Sequence, residues 1–416
     1  VPLFSAGIAW LGLVVVYAGF LSIGFVFHLI PPILPVVIGD LQISHGQAGL
    51  LMSLFALPGI LFSLPAGWLV DRFGAQATGV AGLAIMGAGT LAMGLGQGFV
   101  WILAARALAG VGAMVGVVSM QRMVTRLFAG RSLGIPMGVS GSAIPIGIII
   151  VLNTMGPVAV EKGWRASTTY AGWTVLVVAM AFWTAGLLLG LASRRHLAAS
   201  GTRTESGASR PSVTPEIGSP GQLEVKDGLR AIWIASIVWF CTNGAMTSFM
   251  TFAPDHFLDL GFALKERGVF TSIPMWVSAS LGPVTGWITD RWGGRAAFIA
   301  AGMGLLALGL VLVPVSGLSP VLIGLALGTA LALVVTPLLS MVGDVLPPSH
   351  HGRGFGILST SANLGVFVVP PVAGAVRDSS GHYGWTFTLL AAVAALGVAG
   401  AEVLRRRRYC TPFGAR

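Results

Sequence analysis

The sequence predicts an all-α membrane protein, with twelve transmembrane helices in two pseudo-symmetric six-helix bundles. Hydrophobic residues make up 55% of the 416-residue chain and charged residues only 9%, with a mean hydropathy of +0.86. A soluble chain carries roughly a quarter charged residues, so lipid is the solvent that fits. The apolar runs reach about 20 residues or more, which suits helices, whereas membrane strands need about 10 alternating residues. Finally, one decapeptide recurs. Gly67-Trp68-Leu69-Val70-Asp71-Arg72-Phe73-Gly74-Ala75-Gln76 is echoed by Gly286-Trp287-Ile288-Thr289-Asp290-Arg291-Trp292-Gly293-Gly294-Arg295, an offset of 219.

The same offset relates Pro35 to Pro254, Asp40 to Asp259, Gly49 to Gly268 and Ser53 to Ser272. Small shifts continue it to Gly163-Trp164 with Gly384-Trp385, and to Arg131 with Arg353. Ordered landmarks of this kind mean two copies of one unit.

Span one is predicted from about Ser5 to Ile30. It carries Tyr17, Ser22 and His28 and ends at Pro31-Pro32. Its apolar length reads as a first crossing rather than a cleavable signal. A loop holding Asp40 and His45 follows, then span two, about Gln47 to Leu69, which runs into the first decapeptide. Span three covers about Ala77 to Leu95, and span four about Val100 to Val124, with Arg106 inside and Gln121 and Arg122 near its end. A basic turn with Arg126 and Arg131 leads to span five, about Leu133 to Met155; after a short loop through Glu161 to Arg165, span six ends near Leu191. Spans seven to twelve repeat the scheme from about Arg230 to Leu404.

The expected domains are an N-terminal bundle (1–192), a cytoplasmic linker (193–229) rich in Gly, Ser, Thr and Pro, a C-terminal bundle (230–404) and a basic tail (405–416). The linker composition is that of a flexible connector. The tail's Arg405 to Arg408 would meet anionic lipid at a membrane exit.

With both termini inside, eighteen of the 24 Lys and Arg fall on the cytoplasmic side and six elsewhere, among them Arg106, Lys162 and Arg377. This bias orients the chain in the cytoplasmic membrane. It also explains the net charge of +10 without nucleic acid. The two cysteines, Cys241 and Cys410, make no disulfide framework, and no Cys or His spacing suits a metal. No nucleophile–His–acid arrangement is present, and Gly94-Leu95-Gly96-Gln97-Gly98 joins two spans without the strand–helix context of a nucleotide loop. Neither an enzyme nor a cofactor is expected; a monomer is.

The residues Gly67, Asp71, Arg72 and Gly74, repeated as Gly286, Asp290, Arg291 and Arg295, resemble the signature of the major facilitator superfamily. Arg106-Ala107-Leu108-Ala109-Gly110-Val111-Gly112 resembles its span-four Arg-x-x-x-Gly-x-Gly motif. The resemblance covers the whole chain through its two halves. It implies two six-helix halves rocking about a central cavity, with the signature turns on the cytoplasmic side. It also implies a latch in which Asp71 pairs with Arg122 or Arg126. The first copy departs from the pattern by ending in Gln76 rather than a basic residue. Span five, with Gly141 and Pro145, only faintly resembles the antiporter motif, whose double glycine is missing. It reads as a hinge, with Pro370 and Pro371 as its counterpart in span eleven.

All 14 acids are expected in loops or near span ends. Exporters of cationic drugs need a buried acid to neutralise the cation and exchange the proton, so their absence from the spans weakens that reading. Arg106 is the lone cation predicted inside a span. It either bonds carbonyls or snorkels to the surface, or it attracts an anionic solute. Tyr17, His28, Asn243, Thr247 and Asn363 are candidate cavity residues, weighed against the plainer reading that such side chains bond their own helices. His28, expected near the outer end of span one, is also a candidate proton carrier.

The function expected is secondary transport of a small solute, preferably a small organic anion, with protons as a candidate partner. The alternatives are a proton-coupled exporter of hydrophobic drugs or lipids, and a receptor or scaffold that no longer transports.

Overall fold

The first apolar run folds as two helices, α1 (Ala6–Phe27) and α2 (Ile30–Leu41), broken at His28-Leu29. Pro31 and Pro32 fall in the first turn of α2, where a missing N–H costs nothing, so the prolines begin a helix rather than a loop. The stretch expected as loop is therefore helical as far as Leu41, and only Gln42 to Ser44 connect it to the next helix. The computed structural model describes residues 6–128, 134–199, 222–315, 318–347 and 350–406. Arg131, Cys410, linker residues 200–221 and the tail from 407 lie outside the described residues.

Span two is three pieces: α3 (His45–Ser53), α4 (Leu57–Leu61) and α5 (Ser63–Phe73). Ser44 and Gln47 form a reciprocal capping box at the start of α3. Pro58 sits in the first turn of α4 and Pro65 just inside α5, which favours new helix starts over one continuous rod. The remaining helices of this half are α6 (Ala75–Leu95), α7 (Phe99–Leu127), α8 (Gly134–Lys162) and α9 (Trp164–Ala199). The second half holds α10 (Gln222–Asp259), α11 (Leu264–Trp292), α12 (Arg295–Leu312), α13 (Pro320–Val345), α14 (His351–Ser380) and α15 (Tyr383–Arg406). Helices α9 and α10 thus extend into the stretch expected as linker.

Among the described residues, ten candidate spans are long and apolar enough to cross a membrane, the first containing both α1 and α2. The broken α3–α5 chain and the 29-residue α11 complete the twelve-part scheme. Large apolar side chains such as Trp101, Trp173, Trp233 and Trp385 point outward, as a lipid-facing surface requires.

Glycines set the helix contacts. A Cβ on Gly112 would lie 2.3 Å from the Met86 amide nitrogen, and one on Gly89 would lie 2.6 Å from that of Ala109, so α6 and α7 cross backbone to backbone. In lipid, close approach replaces apolar burial as the source of attraction.

The two halves meet along pseudo-equivalent seams, α3 against α14 and α8 against α11. A Cβ on Gly49 would lie 2.5 Å from the Pro370 carbonyl, and one on Gly268 2.4 Å from that of Leu152. Ser53 Oγ donates to the Val366 carbonyl at 3.2 Å, and Asn153 Nδ2 donates to Ser272 Oγ at 3.2 Å. Gly49 with Gly268, and Ser53 with Ser272, are the sequence-repeat partners, so the repeat landmarks mark the seams.

Candidate functional site

Arg106 lies in α7 with 0% exposure. Its Nε donates to the Leu51 carbonyl at 3.0 Å, Nη1 to Val26 at 2.7 Å and Nη2 to Phe27 at 2.6 Å. The guanidinium also stands 4.5 Å from the Phe55 ring centroid. The break in span one explains two of these acceptors: Pro31 has no N–H to return to the Phe27 carbonyl, and Leu29 takes only a tight turn bond to Val26. Leu51 lies in the last turn of α3, where carbonyls lack helical partners. Gly110, four residues on, lets α7 approach: its Cβ would sit 2.4 Å from the Phe55 carbonyl. The Arg-x-x-x-Gly motif thus stitches together two broken helices. Of the readings open for Arg106, carbonyl bonding is what the geometry shows; it does not snorkel, and it is not bared to a cavity in this conformation.

His28 sits at the α1–α2 break rather than near the outer end of span one. It is 3% exposed, its ring edge-on to Phe27 at 4.6 Å, and neither ring nitrogen finds a partner among the described residues. Tyr17 Oη lies 3.4 Å from Ser142 Oγ of α8. Asn243 and Asn363 donate to carbonyls of their own helices, at Trp239 and Ser359. Asn363 also packs over Gly59 of α4, across the two halves. Thr247 is buried in α10. Arg106, His28 and the α1–α2 break form one locality; Tyr17 lies about three turns back on α1, while Asn243 and Thr247 lie on α10 and Asn363 on α14. Of the hinge candidates, Pro145 lies inside α8, Pro370 and Pro371 lie inside α14 against Gly49, and Gly141 has open space around it.

At the signature turns, Asp71 pairs with Arg122 at 3.3 Å, both side chains 66% exposed. Gln76, in place of a basic residue, donates to the Phe182 carbonyl of α9. In the second copy, Arg295 bridges Asp290, at 2.6 Å, and Asp344 of α13. Gly74 and Gly293 hold φ of +83° and +71°, conformations that side-chain-bearing residues avoid. Arg72 and Arg291 lie over Trp68 and Trp287, their neighbours one turn back.

The opposite end of the molecule holds a cluster that the sequence reading missed. The amide and Nδ1 of His45 reach Asp378 Oδ1 at 2.8 and 2.9 Å, and the Gly46 amide donates to Oδ2 at 2.8 Å. His45 Nε2 lies 3.3 Å from Asp255 Oδ2. The Tyr383 hydroxyl donates to Asp255, which is only 7% exposed. Asp378 thereby caps α3 from the other half, an anion at a helix N-terminus. Asp255, counted among the acids near span ends, does lie four residues from the end of α10 but is buried between the halves. Nearby, Asp40 pairs with Arg165 at 2.6 Å and accepts from the Trp164 indole, while its repeat partner Asp259 meets Arg377 at 3.3 Å.

The Major Facilitator Superfamily profile matches residues 16–269 and 235–409. The xylose transporter XylE of E. coli, in an inward-open conformation, superposes with a TM-score of 0.71 at 14% identity, covering 95% of each chain. A bacterial homologue of the human lysosomal transporter Spinster, inward-facing and occupied, gives 0.72 at 13% identity, covering 97% of this chain and 98% of that one. In sequence, the chain is 25% identical to the hexuronate transporter of Bacillus subtilis over 88% of its length and 87% of the relative's. It is 24% identical to the lysosomal dipeptide transporter MFSD1 of Bos taurus (82% and 74%), and 21% identical to the probable sulfoacetate transporter SauU of Cupriavidus necator (87% and 86%). The fold is thus that of a membrane-embedded secondary transporter for a small molecule, not of an enzyme. The chain belongs to the Major Facilitator Superfamily.

Proposed function

We propose that this transporter carries a small organic anion across the cytoplasmic membrane by alternating access, with both termini cytoplasmic. The observation that carries the reading is the buried charge of Arg106. Its partners are three carbonyls and the Met52 sulfur, which solvate a cation without cancelling it, and among the described residues none of the atoms it bonds belongs to an acid. Buried charge acts over longer range than exposed charge, because water and salt screen it less. Arg106 therefore biases the passage toward anions through its field rather than by direct contact in this conformation. Hexuronate and sulfoacetate, named for two of the relatives, are anions, and a dipeptide also carries a carboxylate.

Tyr17, His28, Asn243, Thr247 and Asn363 are the proposed lining, and the unpartnered ring nitrogens of His28 are the groups most in need of a solute bond. Asp71–Arg122 and Arg295 are the proposed latches at the cytoplasmic face, and Gly141, Pro145, Pro370 and Pro371 the proposed bending points. In a monomer rocking about its two seams, the conformation described here is shut at the His45 end.

The test is uptake by the purified chain in liposomes, over a panel of small carboxylates and sulfonates, a dipeptide and a neutral lipophilic dye. Accumulation of at least one acid without the dye is expected. Inertness to every acid, or transport of the dye alone, would reject the anion reading in favour of lipophile export.

A further inference from the structure

We infer that His45, Asp255 and Asp378 form a proton-binding latch that holds the two halves together at the face opposite the signature turns. The cluster spans the seam. His45 opens α3 of the first half, whereas Asp255 lies near the end of α10 and Asp378 near the end of α14 of the second. Each imidazole nitrogen faces a carboxylate, Nδ1 to Asp378 at 2.9 Å and Nε2 to Asp255 at 3.3 Å. Both oxygens are pure acceptors while ionised. A neutral imidazole has one N–H and can satisfy one of them; the imidazolium has two and satisfies both. The bound proton therefore adds the second imidazole bond across the seam, beside the His45 and Gly46 amide bonds to Asp378 that do not depend on it.

Other charged and titratable groups around the cluster sharpen this. Tyr383 of α15 donates to Asp255 and fixes the oxygen that faces His45. Arg377 of α14 is engaged by Asp259 and stacks over Tyr383 at 4.6 Å, and Arg267 of α11 lies within electrostatic reach of Asp255. His256, next to Asp255, packs edge-on against Tyr383 and Phe387. Asp255 Oδ2 also accepts from the Tyr383 hydroxyl and Asp378 Oδ1 from the His45 amide, so each oxygen keeps one donor beside a neutral ring, and only the doubly protonated ring bonds both acids at once. Packing leaves little slack: a Cβ on Gly374 would lie 2.2 Å from the His45 carbonyl, and one on Gly49 2.5 Å from that of Pro370.

The hydrogen bond to Asp255, then that to Asp378, outweigh burial and hold the His45 pKa above its ordinary imidazole value. The sign follows. The latched form is favoured below the pKa of a free histidine, and its advantage is lost as pH rises through the raised value. Above that value, two carboxylates face each other across one neutral ring, and the seam loosens. The device works whatever solute is carried, so it goes beyond the anion reading and survives that reading's failure.

The experiment is a distance measurement across the seam. Spin labels are placed at exposed Val160 (60% exposed, α8) and exposed Ser379 (α14), in a Cys410→Ser background of the full chain in lipid nanodiscs. Pulsed electron paramagnetic resonance is then read from pH 5 to 9 with no substrate. A single short distance at low pH is expected, with a longer population growing by up to tenfold in ratio per pH unit as one proton leaves. His45→Gln is expected to flatten the transition, and His45→Lys to hold the short distance to higher pH. His382→Gln, at an exposed histidine on the same face, is expected to keep the wild-type profile. A pH-independent wild-type distance, or an unchanged transition in His45→Gln, would overturn the latch. The wild-type profile alone decides the matter if either His45 variant fails to fold.

Discussion

At the scale of single residues, two charged groups with similar sequence prominence have opposite weights. Arg106 is fully buried and its guanidinium answers three carbonyls. Arg106→Ala strands those carbonyls in the interior and is expected to cost roughly 3–5 kcal/mol. Arg106→Lys keeps a charge but loses the planar fork and is expected to lose less. Unfolding midpoints in detergent check both, and a wild-type midpoint in Arg106→Ala would remove its anchoring role. Asp71 and Arg122 are 66% exposed, so Asp71→Asn is expected to change stability by less than about 1 kcal/mol. Arg106 was legible in the sequence because a lone cation in an apolar run is conspicuous. Its carbonyl partners were not, because they depend on where spans one and two break. The His45 cluster was wholly hidden: its members stand 210 and 333 residues apart, and each looks like an ordinary span-end residue.

At the scale of elements, glycines that look alike in sequence do different work. Gly74 is held at φ +83°, so Gly74→Ala is expected to cost about 1–3 kcal/mol through backbone strain. Gly112→Ala places a methyl 2.3 Å from the Met86 amide nitrogen, and pushing α6 from α7 is expected to cost about 1–3 kcal/mol. Gly67, helical with open space around it, is expected to accept alanine with no loss and a gain of up to about 1 kcal/mol. Thermal unfolding should set Gly67→Ala apart from the other two variants; equal losses in all three would contradict this division. Helix identity was legible from hydropathy, whereas helix interruption was not fully so. Pro31-Pro32 was read as a stop, yet proline is well tolerated in a helix's first turn. Span two divides at Pro58 and Pro65, and α7 presses against Phe55, between the first two pieces, through Gly110.

At the scale of the whole molecule, the internal repeat revealed more than a count of crossings. Gly49 with Gly268, and Ser53 with Ser272, were visible as landmarks, and both pairs line the seams where the halves touch. The repeat showed Gln76 standing where the second copy has Arg295, but not which groups the two acids would meet. Asp71 meets an arginine on α7, while Asp290 shares Arg295 with an acid on α13. If these pairs are latches, Asp71→Asn is expected to speed opening of the cytoplasmic face, read by a fluorophore placed there; unchanged opening and closing rates would dismiss that role. Substrate charge is the larger matter, since the transport reading rests on a buried cation without a bonded acid. The most direct measurement is the ratio of initial uptake rates, in wild-type proteoliposomes, for a transported acid and its uncharged amide of the same skeleton. A preference for the acid of tenfold or more is the result expected, and equal rates for acid and amide would contradict it.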